Sequence, residues 1–215
     1  MSPRRAKAIA GRAGDGPAAS LRALLIDTAE QLLAERQVSA ITTRDIARAA
    51  GVSDGVLYNY FADKNELLLA ALVQRYGRVA ARFDVDLPTP GTATVEANLL
   101  VYARAALDLI SGSLPIAAGL ITDPPLLHRF IEAIHTEPFG PQRVRQPLAD
   151  YLHGEQRLGR IPEVDVGAVF HLLFGATTVL AFADVMMGRH REHLSDQLPA
   201  IVGILARGLE PRPAP

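Results

Sequence analysis

Few residues in this 215-residue chain have the type and spacing to do covalent or metal chemistry. Cysteine is absent, which removes disulfide frameworks, thiolate zinc sites and cysteine nucleophiles together. His171 lies in an apolar run, the setting of a packed histidine more than of a ligand. His190 and His193 would stand one turn apart in a continuing helix, but Arg189 and Arg191 beside them disfavour a cation. Glu132 and His135 raise the same metal question with no further cluster to answer it. The chain offers no glycine-rich phosphate loop and no nucleophile at a recognisable elbow. It is expected to be no enzyme, with no metal site and no cofactor.

The elements that must position any site read almost entirely as helices. Ser20 can cap a first helix in which Leu21, Leu24, Leu25, Thr28, Ala29, Leu32 and Leu33 recur at the three- and four-residue steps of one helical face. A short connection follows at residues 38–41, and Thr42 with Asp45 three residues on is a capping-box variant that opens a second, short helix. Gly51 ends it. Ser53 is the N-cap of a third short helix through Phe61, and the Asp63 and Glu66 pair opens a long fourth helix carrying Leu68, Leu72, Tyr76, Val79 and Phe83. The stretch Pro88, Thr89, Pro90, Gly91 stops this pattern and marks a domain boundary. Beyond it are a helix near residues 94–111, shorter irregular helices over 115–134, and a helix near 142–158. Gly159 turns the chain into an apolar helix over about 163–187. A last helix bears the stripe Leu194, Leu198, Ile201, Val202, Leu205 and Leu209. No alternating run is long enough for a sheet, and no repeat is present. The fold class is all-α.

Composition is that of an ordinary globular protein, 49% hydrophobic and 21% charged. The formal net charge of -1 hides an asymmetry: residues 1–83 carry 12 Lys+Arg against 8 Asp+Glu, and residues 84–215 carry 10 against 15. Such a split suits a nucleic-acid-facing N-terminal part on a body that does not touch DNA. Arg4, Arg5, Lys7 and Arg12 precede the first acid without an apolar signal-peptide core, so no export is implied and a cytoplasmic setting is expected. Residues 166–183 lack formal charge, but Thr177, Thr178, His171 and two glycines make a buried helix the better reading than a membrane span.

Two short helices joined by a glycine-containing turn, with a third before them and an amphipathic fourth behind, are the plan of a DNA-binding helix-turn-helix. The run TTRDIARAAGVSDGVLYNYFADKNEL over residues 42–67 closely resembles the signature of the TetR family. The matching positions are Thr43, Ile46, Ala47, Ala50, Gly51, Val52, Ser53, Gly55, Leu57, Tyr58, Phe61, Lys64 and Leu67. The resemblance is close over residues 20–78. Further on it is limited to the helical layout and the Leu158, Gly159, Arg160, Ile161 turn before a long apolar helix. Physical reasons accompany the matches. Ala47, Ala50 and Val52 are small or compact where two helices cross, Ile46, Leu57 and Phe61 can fill a small core, and Gly55 lets the third helix's backbone approach DNA closely.

The resemblance implies an N-terminal arm over residues 1–19, a helix-turn-helix domain with its linking fourth helix over 20–83, and an effector-binding and dimerisation domain over 92–210. It implies contacts to double-stranded operator DNA from Thr42, Thr43, Arg44, Ser53, Asp54, Gly55, Val56, Tyr58, Asn59, Tyr60 and Lys64. Tyr58, Tyr60 and Lys64 would hold phosphates, and Thr43 the backbone. Arg44, Asp54, Val56 and Asn59 would reach base edges: guanine, cytosine, a thymine methyl and adenine. The family often has His where Tyr60 stands, and Asp54 puts an acid on the face that meets DNA. The basic arm can enter a minor groove or remain solvated.

In the C-terminal body, Tyr102, Phe130, Phe170, His171, Phe174 and Thr178 are candidate walls of a pocket for a small-molecule effector, or packed core. Leu194, Leu198, Ile201, Val202 and Leu205 are candidates for a homodimer interface formed as a four-helix bundle. The resulting reading is a repressor released from a palindromic operator by an effector. An activator of the same architecture and a helical ligand-binding protein without DNA binding stand as alternatives.

Overall fold

The computed structural model describes residues 17–83, 87–187 and 194–209, and among these every regular element is helical. In chain order these are α1 (Pro17–Glu35), α2 (Thr43–Ala50), α3 (Asp54–Leu57), α4 (Lys64–Ala80), α5 (Val95–Leu120), α6 (Pro124–Thr136), α7 (Gln142–Arg157), α8 (Val166–Met187) and α9 (Leu198–Gly208). Single turns of 3-10 helix occur at Val38–Ala40, Ala81–Phe83 and Leu194–Gln197. The basic arm, His190 and His193 lie outside the described residues.

The chain folds as two compact units, neither contiguous in sequence: Met1–Tyr76 with Ile116–Ala133, and Gly77–Pro115 with Ile134–Pro215. The unit borders fall inside α4, α5 and α6, and the Pro88 to Gly91 break lies within the second unit. In the first unit Leu25, Ala29, Ile46, Leu57, Phe61, Leu68, Leu72, Leu120 and Leu126 are buried together with Phe130. Polar ties fasten α4 to α1. Gln74 Nε2 donates to Asp27 Oδ1 at 2.6 Å and Glu30 Oε2 at 2.9 Å, and Arg75 Nη1 donates to the carbonyl of Leu33 at 3.1 Å.

Four elements differ from the sequence reading. α1 begins at Pro17, so Ser20 lies inside the helix and not at its N-cap. Pro115 does not break the chain into irregular pieces. It sits inside α5, and burial of Ile116 and Leu120 just beyond it holds the helix through the lost backbone donor. α6 is likewise a regular helix. The third helix closes at Leu57 instead of Phe61, the chain going on as tight turns in which Asn59 N bonds the Val56 carbonyl and Tyr60 N that of Leu57.

The second unit centres on Leu99, Tyr102, Ala103, Leu148, Tyr151, Leu152, Leu173 and Val202. Beside that core a carboxylate is fully enclosed. Glu155 Oε1 accepts from the Gly91 backbone at 3.1 Å and from Arg160 Nη1 at 3.4 Å, while Oε2 makes a bare ion-pair contact with Arg160 Nε at 3.3 Å. Arg160 also donates to the carbonyls of Thr92 and Ala93, and Asn98 Nδ2 bonds the Thr92 carbonyl at 2.7 Å and Tyr151 Oη at 3.2 Å. The segment leading into α5 is therefore latched to the turn between α7 and α8. Removing one partner of a buried pair strands the other charge, so Arg160→Ala should lower unfolding free energy by about 3–5 kcal/mol in urea titrations. A loss under about 1 kcal/mol would mean that Glu155 is solvated without it.

Candidate nucleic-acid interface and apolar cleft

α2 begins with a closed capping box. Thr42 Oγ1 accepts from Asp45 N at 3.2 Å, Asp45 Oδ2 accepts from Thr42 N at 3.0 Å, and the Thr42 hydroxyl donates to the same carboxylate at 2.6 Å. The Thr42 hydroxyl bond, then the backbone bond and Arg36 and Arg48 nearby, hold the Asp45 carboxyl below its ordinary 3.8. Because the folded value is the lower one, this contribution to stability is present above about pH 3.8 and is lost as pH falls through the folded value. α2 ends as a Schellman turn: Gly51 takes φ 72°, its N–H bonds the Arg48 carbonyl at 3.2 Å, and Val52 N bonds that of Ala47 at 3.0 Å. The two ends together set where α3 starts.

On the surface so formed, Arg44, Ser53, Asp54, Gly55, Tyr58 and Asn59 are exposed, with Thr43, Val56 and Tyr60 half-buried. Tyr58 is 59% exposed, an aromatic left in solvent beside the buried Leu57 and Phe61, and not a core residue. A Cβ built on Gly55 meets nothing within 4 Å and its φ is not positive, so no internal constraint calls for glycine there. Ser53 has the extended backbone of an N-cap, but its hydroxyl makes no cap bond. Arg44 Nε lies 3.4 Å from Asp54 Oδ2, so these two candidates face each other. Lys64 Nζ donates to the Ile41 carbonyl at 3.1 Å, tying the start of α4 to the chain just before α2. That internal bond was not legible in the sequence, since nothing in a lysine at a helix start announces a carbonyl 23 residues back.

The effector candidates are only partly brought together. A narrow cleft in the second unit, partly open to solvent and with room for about one water molecule as it stands, is lined by Tyr102, Ala106, Leu148, Phe170, Leu173 and Phe174. Phe170 and Phe174 stack at 5.3 Å. Tyr102 Oη donates to the Pro88 carbonyl at 3.1 Å and lies 3.3 Å from that of Pro147. Burial, with Asp150 adding to it, pushes its pKa up to about 12. Three candidates fall outside. Phe130 belongs to the first unit, where it meets Tyr76 edge-on at 6.0 Å; His171 is exposed; Thr178 spends its hydroxyl on the Phe174 carbonyl at 2.7 Å. Leu148 was missed, although its four-residue spacing from Val144, another cleft residue, marks one face of α7.

Of the dimer candidates, Leu198 and Val202 are buried in their own chain's core, at 2% and 0% exposure, while Ile201 and Leu205 pack against the same cluster but stay half-buried. The Leu194 side chain lies outside the described residues. Uncovered apolar surface includes Ile204 on α9, 66% exposed, and a longer run on α8, where Ala168, Leu172, Gly175, Val179 and Phe182 are exposed at alternating four- and three-residue steps. α8 and the helix Val95–Leu120 are both long and apolar enough to cross a membrane by composition, yet each also supplies core residues to the second unit.

Comparison with known proteins bears on the first unit most directly. A family model described as bacterial regulatory proteins, tetR family, matches residues 25–71. The chain is 36% identical over 112 residues to the HTH-type transcriptional repressor KstR2 of Rhodococcus jostii (strain RHA1), covering 50% of each protein. It is 30% identical over 83 residues to the fatty acid metabolism regulator protein of Bacillus subtilis (strain 168), covering 39% of this chain and 43% of that one. The matched segments thus span about half the length of these relatives or less, and both relatives are named as regulators. Among solved structures, the transcriptional regulator FadR from Bacillus subtilis in complex with stearoyl-CoA superposes with a TM-score of 0.58 at 22% identity, covering 87% of this chain and 98% of that one. That likeness establishes the fold.

The burial pattern makes opposite demands of α8 and α9. Val202→Asp should abolish the cooperative thermal transition, since an unpaired charge would enter the core, whereas Val179→Asp should leave a cooperative transition in place. Equal effects of the two substitutions would contradict the inward orientation of Val202.

Proposed function

We propose that the chain belongs, through its N-terminal helix-turn-helix, to the TetR family of bacterial regulatory proteins, and that it is a sequence-specific transcriptional regulator, a repressor acting in the cytoplasm. The observation that carries this reading is the exposed surface of the motif. Gly55 lacks an internal reason and Tyr58 stands in solvent, so both residues suit an outside partner. Gly55 lets the backbone of α3 close on the duplex, and the hydroxyls of Tyr58 and Tyr60 donate to phosphates, which fix register without reading sequence. Arg44 and Asn59 read base edges. Lys64 keeps donors free for phosphate after its bond to Ile41.

The exposed α8 stripe supports a homodimer. Alternate four- and three-residue spacing is the seam of two packed helices, and Gly175 at its centre lets two copies approach closely. A two-fold protein requires a palindromic operator, with half-sites one helical turn apart. The apolar lining at Tyr102, Phe170 and Phe174 supports an effector with an apolar part, one that enters as these side chains move apart, since the cleft as it stands holds about one water molecule. The stearoyl-CoA carried by the structural neighbour is in keeping with that class. Tyr102 supplies the polar handle, bonded as it is to the Pro88 carbonyl ahead of α5. Effector and operator then oppose each other by the same factor, about 5- to 150-fold for a coupling of about 1–3 kcal/mol.

Mobility shifts with the duplex upstream of the chain's own gene and of its neighbours test this directly. Wild type should bind in a salt-dependent way and be released by an apolar effector. Gly55→Ala should stabilise the fold by about 0.5–1 kcal/mol yet weaken binding at least about tenfold. Tyr58→Phe should weaken all duplexes alike, by about tenfold. A Gly55→Ala protein that binds as well as wild type would remove the reason for placing DNA on this face.

A further inference from the structure

Arg44 and Asp54 are each poorly placed when taken alone. Arg44 occupies the first turn of α2, where the helix dipole disfavours a cation. Asp54 opens α3 on the face assigned to phosphates. Together they form an ion pair, Nε to Oδ2 at 3.4 Å, with the side chains 81% and 54% exposed. Pairs so exposed add little to folding stability, so stability does not account for this one. Asp45, on α2 itself, is already occupied by Thr42 and by Arg36 at 3.7 Å.

The geometry of the pair matters more than its strength. Asp54 takes Arg44 through Nε, which leaves the edge formed by Nη1 and Nη2 without a protein partner among the described residues. That edge is the planar fork that matches O6 and N7 of guanine. We propose that Asp54 is a positioning residue: it anchors Arg44 so that the free edge of the guanidinium meets a guanine, and the pair reads one G·C base pair in each half-site. This rests on the DNA-binding reading above and deepens it. An arginine without its anchor can swing to a phosphate, a contact blind to sequence. Asp54 biases Arg44 against that swing and repels phosphate itself, so it lowers affinity for arbitrary DNA while raising the share of binding that depends on sequence.

Full-length wild type, Asp54→Asn, Arg44→Ala and the double variant are each used to select duplexes from a random pool. Binding of one selected and one unrelated duplex is then measured across salt concentrations. Wild type should enrich a palindrome with a fixed G·C pair in each half. Asp54→Asn should relax that pair, bind the unrelated duplex about threefold tighter or more, and steepen the salt slope by about one unit. Arg44→Ala should lose discrimination at the same pair by about 5- to 150-fold, and adding Asp54→Asn should cost nothing further there. Melting of Asp54→Asn should match wild type, separating aiming from a structural role. If Asp54→Asn keeps the wild-type base preference and the same ratio of selected to unrelated affinity, the aiming role is overturned while DNA binding stands. If wild type enriches no sequence at all, the DNA-binding reading fails and the pair's role fails with it.

Discussion

The angle between α2 and α3 is decided at Gly51. With φ at 72° it adopts a conformation that costs a residue with a side chain about 1 kcal/mol or more, and its N–H and that of Val52 satisfy the carbonyls of Arg48 and Ala47. The reversal leaves Ser53 extended and starts α3 one residue later. The face that carries Arg44, Asp54, Gly55, Tyr58 and Asn59 exists only because of that turn. The capping box at Thr42 fixes the other end of α2, and the Lys64 ammonium on the Ile41 carbonyl ties the start of α4 to the same corner. Three local devices thus define a rigid corner within little more than twenty residues, which is why so short a third helix can hold its side chains in place.

Charge on this corner is arranged with economy. Arg36 and the Thr42 cap absorb Asp45, Arg44 absorbs Asp54, and Glu66 closes back on the Ala62 backbone at 2.6 Å. Each of these acids is therefore engaged by a neighbour. Hydroxyl and amide groups of Ser53, Tyr58 and Asn59 make no internal bond among the described residues, so the exposed chemistry is mostly neutral donors and acceptors, suited to a partner bearing both phosphates and base edges.

How far the sequence could be read depended on whether the signal was local. The Thr42 box, the Gly51 stop and the apolar steps of α1 are encoded within a few residues, and the structure has all of them. The α9 stripe was different. Its periodicity required that one face be covered, but whether by the same chain or another copy is a question of tertiary packing, and here the chain's own core covers Leu198 and Val202. α8 is apolar on nearly every side, so no period could single out the face with Leu172, Val179 and Phe182 as the uncovered one. Phe130 misled for the same reason: an aromatic on an amphipathic helix announces burial without naming the neighbours, which turned out to belong to the first unit.

If the corner built around Gly51 is the surface that meets DNA, backbone hydrogen exchange will register it without knowledge of the operator sequence. At low salt, where nonspecific duplexes bind, amides should be followed with and without an upstream duplex. The strongest slowing is expected in residues 41–64, whose turns after Leu57 are short and largely solvent-facing. Demonstrable DNA binding with exchange in that segment unchanged would contradict that placement of DNA.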